Sequence, residues 1–116
     1  MLLKELMDRV GLELVTTGVD IQGMEVKWAY TSDLLSDVMA SAREGDLWLT
    51  IQRHLNIVAV AKLKDLAGVV LAKGISPSPE VASKAEEEGI PLFISQFPLF
   101  ELSGKLYELL GGEDGP

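Results

Sequence analysis

Beginning near residue 25, the sequence repeats one order of elements four times: an apolar segment typical of a β-strand, then a segment with helical spacing. The four strand-like segments are EVKWAYTS, DLWLTIQ, GVVLAKG and IPLFIS. Each strand–helix unit is about 20–25 residues long, which leaves room for a helix to cross between two parallel strands. The repeat therefore predicts an α/β fold, with a mostly parallel sheet of four to five strands flanked by helices.

Two further elements precede this repeat. LLKELMDRV places apolar residues on one helical face and is followed by Gly11, a typical helix terminator. LELVTTG is the candidate fifth strand, and the segment after it, VDIQGMEV, is turn-like around Gly23. We expect residues 1–110 to form one domain and residues 111–116, GGEDGP, to form a flexible tail.

The ends of the helices carry recognisable signals. In SDLLSDVMASAREG, Ser32 can cap the start and Gly45 can stop the helix. In HLNIVAVAKLKDLAG, the length favours a helix over a strand, with His54 or Asn56 near its cap. In SPSPEVASKAEEEG, Ser78 precedes a proline at the favoured first helical position. FPLFELSGKLYELL completes the series as a final helix.

Composition excludes several classes of function. The chain has 116 residues and a formal net charge of −8, so duplex DNA and anionic membranes are poor partners, because binding to phosphate relies on Lys and Arg. It contains no Cys and a single His, which excludes disulfides and disfavours a zinc site. No apolar stretch approaches about 18 residues, so the sequence predicts neither a membrane span nor a signal peptide. A cytoplasmic protein is the expectation.

Polar residues follow the predicted strands, where ligands of such sheets bind. We take eight of them as candidate ligand-binding residues: Ser32, Asp33, Thr50, Gln52, Arg53, His54, Lys73 and Gly74. Exposed N–H groups at the helix starts near Ser32 and Asn56 favour an anion, and Arg53 and Lys73 would add positive charge. The sequence therefore predicts a site for a phosphorylated ligand, with no metal and no cofactor.

Each of these residues also has a purely structural interpretation. For Ser32 and Asp33 we favour helix capping first and a place beside the ligand second. Asp37, one turn later, is expected to be a solvated charge that complements the helix dipole. His54 has no adjacent acid to orient it, so a loop or cap role is favoured over catalysis. Trp28 and Trp48 are expected in the core or at a dimer interface.

Four segments together resemble a DRTGG domain: AYTSDLLSDVMASAREGDLWLT, NIVAVAKLKDLAGVVLAKG, PSPEVASKAEEEGIPLF and FELSGKLYEL. The likeness covers roughly residues 10–110, and it implies a fold similar to the N-terminal domain of HPr kinase. Where the family has its name-giving Asp-Arg, this chain has Gln52-Arg53; where the family has Thr-Gly-Gly, it has Ala72-Lys73-Gly74. Arg53 and Gly74 therefore carry over directly.

The resemblance also implies a function. DRTGG domains occur alone or appended to phosphotransacetylases and, beside CBS modules, to pyrophosphatases, where they are regulatory and dimerising and where the CBS-containing region binds adenine nucleotides. We therefore expect a non-catalytic regulatory module, a homodimer that binds a nucleotide or a phosphorylated metabolite.

Two alternatives remain open. The first is a pure interaction module for a metabolic enzyme, without a small-molecule site, that uses its apolar surface and the acidic run Glu86–Glu88. The second is a small enzyme that uses His54 and Asp33, which would require the two side chains to lie within about 3 Å of each other or of one shared water.

Overall fold

The strands of the repeat lie side by side in one sheet. In the computed structural model, which describes residues 1–111, they are β2 (Trp28–Thr31), β3 (Asp46–Thr50), β4 (Gly68–Leu71) and β5 (Leu92–Ile94). All neighbouring pairs among them are parallel, and a short β1 (Glu13–Leu14) joins β5 in the antiparallel direction. The strand order is β1-β5-β4-β3-β2, which confirms the predicted mostly parallel sheet with five strands.

Helices cover both faces of this sheet. They are α1 (Leu3–Val10), α2 (Leu35–Ser41), α3 (Asn56–Leu63), α4 (Pro79–Glu87) and α5 (Leu99–Leu110). The side chains of β3 alternate: Leu47 and Leu49 belong to the apolar core beneath α1 and α5, whereas Trp48 belongs to the core beneath α2, α3 and α4. Every residue of β3, β4 and β5 is buried, as expected for strands covered on both faces.

The predicted helix starts agree with the structure for some helices and differ for α2. Ser78 accepts a hydrogen bond from the backbone N–H of Val81 at 3.3 Å, with Pro79 in the first turn, so the predicted cap of α4 is confirmed. The predicted cap of α2 is wrong, because Leu34 occupies this position and no side chain caps the helix. The cap position of α3 is Leu55, between His54 and Asn56 as predicted, and it has no side-chain hydrogen bond.

The predicted helix ends differ as well. Gly11 ends α1 in the left-handed region, with φ 79°, as predicted. Helix α2 already stops at Ser41, so Gly45 does not terminate it. With φ 86°, Gly45 instead forms the turn that leads into β3. Of the predicted tail, only Gly111 lies within the described residues, and residues 112–116 lie outside them.

Candidate functional site

Strands β2, β3 and β4 are parallel neighbours, so the segments that leave them emerge at one edge of the sheet. We call this surface, formed by residues 32–33, 50–54, 72–76 and 95–97, the carboxyl edge. The backbone ties its parts together: the N–H of Ser32 bonds the carbonyl of Leu49 at 3.2 Å, and the N–H of Ala72 bonds the carbonyl of Thr50 at 3.0 Å. All eight candidate residues therefore lie at or directly after the ends of three adjacent strands.

Asp33, Thr50 and Gln52 form one hydrogen-bonded lock between the ends of β2 and β3. Asp33 Oδ1 accepts from Thr50 Oγ1 at 2.7 Å and from the N–H of Ile51 at 2.9 Å. Thr50 Oγ1 in turn accepts from the N–H of Gln52 at 3.1 Å, and the amide Nε2 of Gln52 donates to the carbonyl of Asp33. Because Thr50 is fully buried, its hydroxyl depends on these partners. The lock fixes the chain where it leaves β3.

This lock corrects the interpretation of Ser32 and Asp33 as helix caps. The carboxylate of Asp33 binds β3 rather than the start of α2. Ser32 Oγ accepts only from the N–H of Leu34, at 3.2 Å, while the Ser32 carbonyl accepts from Trp48 Nε1 at 2.8 Å. Asp37 is not a merely solvated charge either, because its Oδ2 accepts from the hydroxyl of Tyr30 at 2.8 Å.

The positively charged candidates lie on the outside of the carboxyl edge. Arg53 and Lys73 are both exposed, and Arg53 Nη1 approaches the carbonyl of Ser76 at 3.5 Å, across the β4–α4 connection. Lys73 and Gly74 both have positive φ, 62° and 68°. Their N–H groups bond the carbonyls of Phe97 at 2.9 Å and Ser95 at 2.8 Å, so the backbone shapes this half of the edge and leaves the Lys73 side chain exposed.

His54 is exposed, and its imidazole makes no hydrogen bond to the rest of residues 1–111. The side chains of His54 and Asp33 are therefore not in direct hydrogen-bond contact, which is one of the two arrangements that the enzyme alternative allows. Nor do His, Asp and Glu side chains within the described range gather in a group of three that could hold a metal ion.

Sequence reasoning missed one cation of this surface. Lys105 Nζ lies 4.6 Å from the ring centroid of Phe97, and the carbonyl of Phe97 is the acceptor for Lys73. Lys105 is therefore adjacent to the loop that follows β5, although it belongs to α5. No local signal could have revealed this, because the contact depends on how α5 crosses the sheet.

Five of the surface clefts within residues 1–111 have volumes between about 230 and 510 Å³. None of the five is lined by any of the eight candidate residues. A ligand at the carboxyl edge would therefore rest on an open surface rather than inside one of these clefts. In the part of the chain that the structure describes, no helix is long and apolar enough to span a membrane.

Comparison with known proteins gives one informative result. No family model matches the chain, and no curated protein matches it. Among solved structures, it is similar to the CBS and DRTGG domains of the regulatory region of Clostridium perfringens pyrophosphatase, solved with the activator diadenosine tetraphosphate. The TM-score is 0.65 at 15% sequence identity, over 90% of this chain and 44% of that one, so this chain spans less than half the length of its neighbour. The α/β fold seen here is thus similar to that of a DRTGG domain, as the sequence resemblance implied.

Proposed function

We propose that this protein is a non-catalytic regulatory module that binds a nucleotide or another phosphorylated metabolite at its carboxyl edge. The observation that carries the proposal is the position of two exposed cationic side chains, Arg53 and Lys73, after the ends of adjacent parallel strands in a chain of net charge −8. Ligands of open α/β sheets bind outside the carboxyl ends of the strands. Cationic side chains at such an edge favour an anionic ligand.

The structural neighbour supports a regulatory role of this kind. Its regulatory region was solved with diadenosine tetraphosphate, a polyanionic nucleotide described as an activator. A nucleotide with several phosphates is therefore the first ligand to test here. The module would then act on a metabolic enzyme, either as part of the same chain or as a separate partner.

The lock leads us to propose different roles for the candidate residues. Asp33, Thr50 and Gln52 are joined by hydrogen bonds, so we assign them to holding the edge in shape. Arg53 and Lys73 would contact phosphate directly, with His54 beside them. Ser32 and Gly74 would contribute through the backbone around them.

We further propose that the protein works as a homodimer. Its mean hydropathy of +0.23 is positive despite the 24% of charged residues, and large apolar side chains remain exposed on the single chain. Occupancy of the carboxyl edge would then change either the dimer or the contact with a partner enzyme.

Calorimetric titration of the full chain with ATP, diadenosine tetraphosphate and sugar phosphates tests the ligand. We expect saturable binding to at least one of them. Arg53→Ala and Lys73→Ala should each weaken it about 10-fold or more, since a hydrogen bond to a charged group contributes roughly 1.5–3 kcal/mol.

Arg43→Ala is the matched control. Arg43 is also exposed, but it precedes β3 and so lies at the opposite edge of the sheet, and its replacement should leave the affinity unchanged. Binding that no compound saturates, or that Arg43→Ala weakens as much as Arg53→Ala, contradicts the proposal.

A second function is favoured by one specific observation. A cleft of about 510 Å³ lies between α3 and α4, and Leu55, Val58, Ala59 and Leu63 form its apolar part. A pure interaction module would use this groove for a protein partner. Binding of a copurifying metabolic enzyme would then be weakened by Leu63→Asp and unaffected by Arg53→Ala, the reverse of what a ligand-dependent contact predicts.

A further inference from the structure

The outer face of α5 carries two exposed aromatic side chains. Phe100 is 87% exposed and Tyr107 is 58% exposed, while Leu102 and Leu106 on the inner face are fully buried. Phe100 and Tyr107 are seven residues apart, so they lie on the same side of the helix, about 10 Å apart along its axis. The described chain therefore leaves an aromatic side chain near each end of one helical face.

Gly104 lies between them, and nothing within the described chain accounts for it. A Cβ atom added at this position would meet no other atom within 4 Å. Glycine in the interior of a helix is less favourable than alanine, because it gains no packing and loses more backbone entropy. A glycine on an open helix face is typical of a place where a second backbone approaches closely.

A hole lies beside the Tyr107 end of this face. A cleft of about 230 Å³ runs between α5 and β2, and its lining includes Trp28, Leu106 and Tyr107. The rings of Trp28 and Tyr107 meet edge to face, with their centroids 5.5 Å apart. Strand β2 is an edge strand with β3 as its one neighbour, so no strand of residues 1–111 covers the other side of the cleft.

We propose that this surface, the outer face of α5 with the cleft beside β2, binds a second copy of the chain about a twofold axis. With two α5 helices antiparallel and the axis between Ser103 and Gly104, Phe100 of each copy lies opposite Tyr107 of the other. Each phenyl ring then enters the cleft of the other copy beside Trp28. The knob and the hole lie on one chain and are exchanged by one rotation, which is the defining property of an isologous contact.

Two further features fit this occupant. Ser103 and Gly104 are the small residues at the crossing point, which lets the helices approach closely. The same register brings Lys105 of one copy within one residue of the level of Glu101 of the other, and within the described residues Glu101 and Lys105 form no ion pair with each other. The inference rests on the proposed function only in taking the protein to be a homodimer.

Sedimentation equilibrium of the full chain tests the surface. We expect a particle of twice the 12.6 kDa chain mass at micromolar concentration. Phe100→Ala and Gly104→Leu should each raise the dissociation constant at least 30-fold without lowering the thermal midpoint of the monomer, because Phe100 is exposed and a side chain added at Gly104 meets open space. Leu63→Ala, which removes another exposed apolar side chain (71% exposed, on α3), should leave the dimer intact.

A single-cysteine cross-link tests the symmetry. Because the sequence contains no Cys, the introduced thiol is the one that can form a disulfide. Gly104→Cys places two thiols beside the axis and should give a disulfide-linked dimer under mild oxidation, whereas Ser83→Cys on the exposed side of α4 should not. Three results would each overturn the inference: a monomeric wild type, a dimer that Phe100→Ala leaves unchanged, or assemblies of more than two copies. A monomer that still binds nucleotide would refute this interface alone, whereas a Phe100-dependent dimer that binds none would refute only the ligand.

Discussion

The two halves of the carboxyl edge are built in different ways. On the β2–β3 side, side chains bond one another, with the carboxylate of Asp33 accepting from both Thr50 and Ile51. On the β4–β5 side, the backbone makes the contacts through the N–H groups of Lys73 and Gly74. The first half therefore depends on hydrogen bonds of the Asp33 and Thr50 side chains, and the second leaves the Lys73 side chain exposed.

This difference separates residues that shape the edge from residues that can meet a ligand. The Oδ1 atom of Asp33 is bonded to two internal donors, and the negative charge of its carboxylate would repel phosphate. Arg53, which follows the locked segment, reaches toward Ser76 on the other half. The lock fixes the segment that precedes Arg53, and changes in the two halves should affect different measurements.

The largest effect is expected from breaking the lock. Asp33→Ala removes the acceptor of the buried Thr50 hydroxyl and of the Ile51 N–H, and it should lower the free energy of unfolding by about 2–3 kcal/mol. Chemical denaturation measures this change. Asp33→Asn keeps one side-chain oxygen and should lose less, about 1 kcal/mol.

Thr50→Val provides the control for this first prediction. If the two residues act as a unit, the double variant with Asp33→Ala should be more stable than the sum of the single changes predicts, by about 1 kcal/mol. Additive effects would mean that Asp33 and Thr50 stabilise the protein independently, and that the hydrogen bond between them contributes nothing measurable to stability.

Much of the fold could be predicted because its signals are local or periodic. The buried strands are continuous apolar runs such as GVVL, and parallel pairing follows from the length of the crossovers. The start of α4 can be predicted because its cap is local: Ser78 accepts from Val81, three residues later, and Pro79 follows it in the first turn.

The start of α2 could not be predicted in the same way. Ser32 and Asp33 are also residue types that cap helices, but β3 supplies Asp33 with a hydroxyl and an N–H. These donors are 17 and 18 residues away in sequence, so no local rule identifies them. The strand ends revealed which residues share the carboxyl edge, whereas their division into locked and exposed groups depends on tertiary contacts.

A smaller effect is expected on the other half of the edge. Lys73 has φ 62°, a conformation that costs a non-glycine residue about 1 kcal/mol. Lys73→Gly should therefore raise the free energy of unfolding by about 0.5 kcal/mol, after allowance for the greater entropy of glycine in the unfolded chain. The same variant should weaken nucleotide binding, because it removes the charge.

Asp65→Gly is the matched control for Lys73→Gly. Asp65 also has positive φ, 51°, but it lies between α3 and β4, at the opposite edge of the sheet. It should gain similar stability and bind nucleotide as the wild type does. A loss of stability in Lys73→Gly would show that the lysine side chain makes a favourable contact that outweighs its backbone strain.

The smallest change in stability is expected for Ser32→Ala, which we compare with Ser78→Ala because both serines precede helices. Ser32→Ala should cost only a few tenths of a kcal/mol, because its hydroxyl accepts one bond on a partly exposed turn and its carbonyl still accepts from Trp48. Ser78→Ala should cost about 1 kcal/mol, since it removes a true cap. Thermal unfolding of both variants under the same conditions measures the difference. Equal losses of stability in Ser32→Ala and Ser78→Ala would contradict this prediction and would show that Ser32 stabilises the start of α2 as much as a cap does.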